Sequence, residues 1–201
     1  MLAAQIILGL QTIVSREMRA IDPAVVTVGS IHGGTKHNII PDEVQLQLTT
    51  RHYSDAVREH ILKSIDRIAQ GMAQAAGIPP GRAPLMKVID EEYLPPTYNN
   101  PELTRKIARA MAIALSPLNV VERDPVMGAE DFAYFGRTAE KIPACIFWLG
   151  TVNPAWIEGS LREGRDSLPS LHSSRFAPDP EPTIKTGVIA MSAAALDLLG
   201  K

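Results

Sequence analysis

Three stretches of this sequence carry residue types that could do chemistry. In His32-Gly33-Gly34-Thr35-Lys36-His37-Asn38, two histidines flank a double glycine. Glycine lets a backbone approach a ligand closely, and a loop between rigid strands is a common place for a binding contact. On spacing alone the plainer account is stronger: a hairpin turn whose glycines supply positive φ, with incidental histidines. In Met127-Gly128-Ala129-Glu130-Asp131-Phe132, adjacent carboxylates follow a glycine in apolar surroundings. Burying them without a partner is costly, so a cation, a metal or a hydrogen-bond donor would explain them. A helix start, whose dipole the two acids would complement, explains them equally, and both accounts can hold together. His172, in Leu168-Pro169-Ser170-Leu171-His172-Ser173, is open to three readings: metal ligand, general base or structural histidine.

Other candidates are weaker. His52 and His60 have no acidic or histidine partner at ligand spacing and read as surface residues. Cys145 reads as inert core within a buried strand. No G-x-S-x-G elbow, P-loop, H-E-x-x-H or G-x-G-x-x-G occurs.

The elements that must position these residues follow from periodicity. Leu2, Ile6, Ile7, Leu10, Ile13 and Val14 fall at helical spacing, and Asp22-Pro23 ends that helix. The helix begins almost at Met1, with no capping residue before it. The β-branched run from Ala24 to Ser30 suits a strand, and residues 44–51 alternate with period two as a half-buried strand does. Too few residues separate the two for a crossover, so they pair antiparallel. Ser54 or Asp55 caps a helix burying Val57, Ile61, Ile65, Ile68 and Met72, which ends at Gly77 and Pro79-Pro80-Gly81. Leu85 to Ile89 reads as a further strand, giving a split βαβ-like module without its opening strand.

Pro95-Pro96 and Asn99-Asn100-Pro101 mark the boundary between domains at 1–96 and 97–201. Beyond it, Asn100 caps a helix burying Leu103, Ile107, Met111 and Leu115. Val120-Val121 is a short strand candidate, and Ala144 to Leu149, apolar on both faces, reads as the central strand of a covered sheet. A long turn-rich loop from Gly150 to about Pro182 carries His172, and loops of that length are usually functional. The last helix buries Ile184, Val188, Met191, Ala195 and Leu198.

The 201 residues contain 20 Lys and Arg against 22 Asp and Glu, a formal charge of −2, which gives no electrostatic reason to expect nucleic acid or an anionic membrane surface as partner. With 45% apolar and 21% charged residues the chain is of the folded, globular kind. One cysteine excludes an internal disulfide framework. No apolar run approaches the roughly 20 residues that span a bilayer. Leu2 to Leu10 is a poor signal peptide, so a cytoplasmic location is expected.

Taken together, Gly33-Gly34-Thr35-Lys36-His37-Asn38-Ile39-Ile40-Pro41-Asp42, Met127-Gly128-Ala129-Glu130-Asp131-Phe132 and Leu171-His172 resemble the dinuclear-metal amidohydrolases of the aminoacylase, hippurate hydrolase and carboxypeptidase-G-like metallopeptidase family, nearest its N-acyl-amino-acid amidohydrolase branch. The resemblance implies an α/β fold. Residues 1–96 would be most of an α+β lid or dimerisation domain, ferredoxin-like with an antiparallel sheet and two helices and lacking its first strand. Residues 97–201 would be the C-terminal part of the catalytic α/β domain.

It further implies a homodimer formed through the lid and hydrolysis of an N-acyl amino acid by a metal-bound hydroxide. Two divalent ions, zinc or manganese, would serve the complete enzyme. His172 matches a metal ligand, and Asn38 matches a lid residue that reaches the substrate, typically in the other subunit's site. His37 stands beside it as a substrate-binding candidate. Glu130 and Asp131 match an acidic motif beside the site, and Arg51 matches the lid-strand arginine. The family's His-x-Cys-Gly-His-Asp segment, Glu-Glu pair and lid histidine have no counterpart here and would lie upstream of Met1. The general base is therefore expected upstream of Met1, no catalytic residue is expected within this chain, and the chain alone is expected to be inactive. The rival expectation is a non-catalytic dimerisation module derived from such an enzyme.

Overall fold

The computed structural model describes residues 1–128, 130–162 and 168–200. By packing, the chain divides into two units, the first comprising residues 1–97 and 126–134 and the second 98–125 and 135–201.

In the first unit, α1 (Leu2–Thr12) follows directly on Met1, which stands fully exposed and gives the helix no side-chain cap. At its other end α1 widens into a π-helical turn over Ile13–Glu17. Strands β1 (Ala24–His32) and β2 (Gln45–His52) form an antiparallel hairpin, with Ala24 opposite His52 and His32 opposite Gln45. The register slips between Val28 and Ser30, where Gly29 is the extra residue of a β-bulge. Helix α2 (Asp55–Ala75) starts at Ser54, whose hydroxyl accepts the Val57 N–H at 3.3 Å. It ends at Gly77, whose φ of 70° completes the left-handed cap, with the Ile78 N–H donating to the Ala73 carbonyl.

Both helices bury their apolar stripes against one face of the hairpin. Ile6, Leu10 and Ile13 from α1 and the turn after it meet Ile61, Ile65 and Ile68 from α2 and Val26 from β1. Each such side chain contributes about 1.5–3 kcal/mol by leaving water. Gly9 permits the approach of the helices, because a Cβ there would lie 2.9 Å from Ile68 Cγ2 and 3.0 Å from the Met72 methyl. The expected strand over Leu85–Ile89 does not form; the segment is extended without a ladder partner among the described residues, and Leu85 is 98% exposed.

In the second unit, α3 (Pro101–Leu115) is capped by Asn100, whose Oδ1 accepts the Leu103 N–H at 2.9 Å. It packs Ile107 and Met111 against Ala190 and Ala194 of the last helix, Pro180–Leu199. Three expectations need correction here. Val120-Val121 is irregular chain after a short 3₁₀ turn, and Val121 is exposed. Ala144–Leu149 is extended but in no ladder among the described residues, and Trp148 is 69% exposed. The Asn99 side chain stands in for a strand neighbour, accepting the Ile146 N–H at 2.8 Å and donating to its carbonyl at 2.7 Å. The expected loop from Gly150 to Pro182 contains α4 (Pro154–Arg162), so the last helix is α5.

Helix α5 turns a different face inward from the one expected. Ile184, Val188 and Met191 are largely exposed, while Ala190 and Ala194 are buried. Small side chains let two helices approach closely, and that proximity, rather than the largest apolar residues, selects the face. The length and mean hydropathy of α5 also make it the one described helix able to cross a membrane by composition, contrary to the reading of apolar runs alone. Here it packs on α3 and carries Asp197, paired with Lys106 at 3.7 Å.

Candidate functional site

The hairpin separates the candidate residues of the first unit. Its closing loop, residues 33–44, carries His37 and Asn38, both exposed. Gly34 has φ 81°, as a turn glycine should, but Gly33 is needed for space: a Cβ there would lie 2.7 Å from Val44 Cγ2. At the tip, Ile39 and Ile40 are exposed, Ile40 by 93%. Arg51 sits at the opposite end of the hairpin, paired with Val25. Six residue steps along the strand separate it from Gln45, a span of about 20 Å at roughly 3.3 Å per residue.

Arg51 does meet the acidic stretch. Its Nη1 donates to the Met127 carbonyl. Glu130 and Asp131 follow, both exposed, so burial imposes no demand for a countercharge. Asp131 opens a 3₁₀ helix (Asp131–Arg137), and Glu130 Oε1 accepts the Phe132 N–H at 3.4 Å. The helix-start account therefore describes this pair. Ala129 lies outside the described residues.

His172 belongs to the second unit and lies exposed in a turn between α4 and α5, beside the Ser173 N–H bond to the Ser170 carbonyl. Among the described residues, no group of three or more His, Cys, Asp or Glu side chains is assembled that could hold a metal ion. A two-ion site therefore does not fit the residues present by themselves. Cys145 is half-buried outside any strand and accepts the Thr104 hydroxyl at 3.4 Å, flanking the α3–α5 core.

Two histidines prove more engaged than expected. His60 Nε2 lies 3.5 Å from Glu17, which also accepts from Ser64 at 2.8 Å and Arg67 at 2.6 Å. The Arg67 and Ser64 hydrogen bonds hold the Glu17 carboxyl below the usual glutamate range, with the Arg67 and His60 charges adding to them and burial opposing. This cluster ties the π-helical turn to α2. His52 is half-buried and stacks on Tyr93, ring centroids 6.1 Å apart and planes inclined by 26°.

Sequence reading missed Tyr93. Its hydroxyl donates to Asp55 Oδ1 at 3.2 Å, the Arg58 guanidinium lies 4.2 Å from its ring centroid, and its carbonyl accepts the Tyr134 hydroxyl at 2.6 Å. An aromatic residue just before Leu94-Pro95-Pro96 was the only local hint.

Relatives agree with this architecture. Residues 1–75 match the family model described as the M20 peptidase dimerisation domain. Thermostable carboxypeptidase 2 of Saccharolobus solfataricus is 34% identical over 200 residues, covering 100% of this chain and 46% of that protein. N-acetyldiaminopimelate deacetylase of Limosilactobacillus reuteri is 30% identical over 94% of this chain and 44% of its own length. An IAA-amino acid hydrolase of Arabidopsis thaliana is 36% identical over 74% of this chain and 32% of its own length.

Among solved structures, a putative aminohydrolase from methicillin-resistant Staphylococcus aureus superposes with TM-score 0.70 at 25% identity, over 98% of this chain and 44% of that one. A Bacillus subtilis protein described as a dinuclear metal binding peptidase from the M20 family gives 0.64 at 25% identity, over 98% of this chain and 45% of that one. The fold is the α/β fold of a hydrolase family. Residues 1–75 belong to the M20 peptidase dimerisation domain family, and the chain spans about half the length of the curated relatives it matches.

Proposed function

We propose that this chain serves a metal-dependent amidohydrolase that cleaves the amide of an N-acyl amino acid, working as a homodimer through its first unit. The relatives named above as a carboxypeptidase, a deacetylase and an amino acid hydrolase support an amide to an amino acid as the bond broken. The described residues do not build a metal cage, so the ions, zinc or manganese, would need ligands besides His172. Those ligands and the general base would come from polypeptide upstream of Met1.

The observation that carries the reading is the separation along the hairpin. His37 and Asn38 stand about 20 Å of strand from Arg51 and the acidic segment, at roughly 3.3 Å per residue. They therefore serve the site of a second copy, and the bare Ile39 and Ile40 beside them suit burial in that contact. Asn38 would donate to the substrate carbonyl oxygen as charge develops on it. His37 would line the same pocket, while Arg51, Glu130 and Asp131 orient the substrate from the other side.

The test is release of free amino acid from a panel of N-acyl amino acids by the complete polypeptide with added Zn²⁺ or Mn²⁺. Asn38→Ala is expected to lower turnover by 10²–10³-fold, the usual loss of one such donor, while sedimentation still reports a dimer. His172→Ala should lower bound metal by elemental analysis. A dimer that cleaves no member of the panel with either ion would overturn the enzymatic reading in favour of a non-catalytic dimerisation module.

A further inference from the structure

We infer that the Met127–Tyr134 segment is clasped to the first unit at two points, with Arg51 and Tyr93 as positioning residues for Glu130 and Asp131. One point is the Arg51 guanidinium on the Met127 carbonyl, a contact between residues 76 apart in sequence. The other is the Tyr134 hydroxyl on the Tyr93 carbonyl at 2.6 Å, across 41 residues. Glu130 and Asp131 lie between the two points.

Both anchors trace to one place, the junction where β2 passes into α2. Arg51 is fixed there by its ladder position opposite Val25. Tyr93 is fixed by stacking on His52, by its hydrogen bond to Asp55 and by the Arg58 cation over its ring. Arg58 is itself held by Asp90 at 3.0 Å. The residues from Ser54, the cap of α2, to Arg58 make one turn, so these groups share a single rigid support.

The clasped segment needs such support. A 3₁₀ helix has poor internal hydrogen-bond geometry, and in Asp131–Arg137 only Ala133 is buried. Residues 126–134 group with 1–97. The two contacts thus tie the acidic pair to the end of the hairpin where Arg51 lies. The inference rests on the proposed function only in giving that pair a task at substrate.

Amide hydrogen exchange of the full 201-residue chain tests it without any substrate, so a failed clasp and a failed hydrolase reading are told apart. Arg51→Ala and Tyr134→Phe should each speed exchange in peptides covering residues 130–137 by about five-fold, the scale of one net hydrogen bond. Peptides covering residues 61–75 should keep their protection, which separates release of the segment from unfolding. Arg51→Lys, which retains a donor, should recover most of the protection. Unchanged exchange over 130–137 in both variants, or equal loss in Arg51→Lys and Arg51→Ala, would overturn the clasp.

Discussion

The first unit closes its core with large side chains: Ile6, Leu10 and Ile13 from one helix and its closing turn against Ile61, Ile65 and Ile68 from the other, over a strand face. The second closes its core with two alanines against Ile107 and Met111, leaving Ile184, Val188, Met191 and Trp148 outside. Both have amphipathic helices, yet the criterion for the buried face differs. Where a sheet supplies a broad surface, bulk goes inward. Where two helices face each other without a sheet beneath them, closeness of approach decides, and bulk is left at the surface.

Four substitutions would break or sharpen that contrast. The largest effect is expected from Ile61→Ala, about 3–4 kcal/mol, because Ile61 is fully buried among rigid neighbours that cannot collapse into the cavity. Chemical denaturation followed by exchange in peptides from α1 and α2 measures it. Met111→Ala should cost less, about 2 kcal/mol, since it faces alanines rather than large side chains and so gives up fewer contacts. A loss equal to that of Ile61→Ala would dissolve the distinction.

Glu17→Gln should cost about 1 kcal/mol, since bonds to a charged acceptor are worth more than that and partial exposure reduces them. The pH dependence has a definite sign. The folded carboxyl titrates below its unfolded value, so its contribution is present at neutral pH and is lost as pH falls through the lowered value. Glu17→Gln should therefore flatten the acid limb of the stability profile, read from unfolding midpoints from neutral pH down to the acid transition. Smallest is Ile184→Ser on the bare face of α5, expected to stay within about 0.5 kcal/mol by thermal unfolding of this chain.

The same contrast explains what the sequence discloses. The 3.6-residue stripes of α1, α2 and α3 and the caps Ser54 and Asn100 are local, and they appear where periodicity and capping chemistry put them. Alternation in residues 44–51 likewise yields β2. Strand formation at Leu85–Ile89 and Ala144–Leu149 is not local: β-propensity names a candidate, but a ladder requires a neighbour, and among the described residues neither finds one. The face of α5 depends on what faces it, which its own pattern does not contain.

Legibility of the candidate site divides in the same way. Short motifs mark His37, Asn38, Glu130, Asp131 and His172 as worth attention. Distance along the hairpin, which separates the first two from Arg51, is a property of register. Tyr93 and Tyr134 meet across 41 residues through a backbone oxygen, and no residue pattern encodes such a meeting.

The wide turn at Ile13–Glu17 has a consequence for how this sequence can vary. A π turn holds one residue more than an α turn, and that surplus aims Glu17 at Ser64 and Arg67. Deleting any one residue from Ile13 to Arg16 would tighten the turn and swing the Glu17 carboxylate roughly a quarter-circle away, even with every remaining side chain intact. Here the tally of amino acids matters as much as their identity, and homologues that keep the acid but shorten the turn would have to find their own way to fasten the two helices.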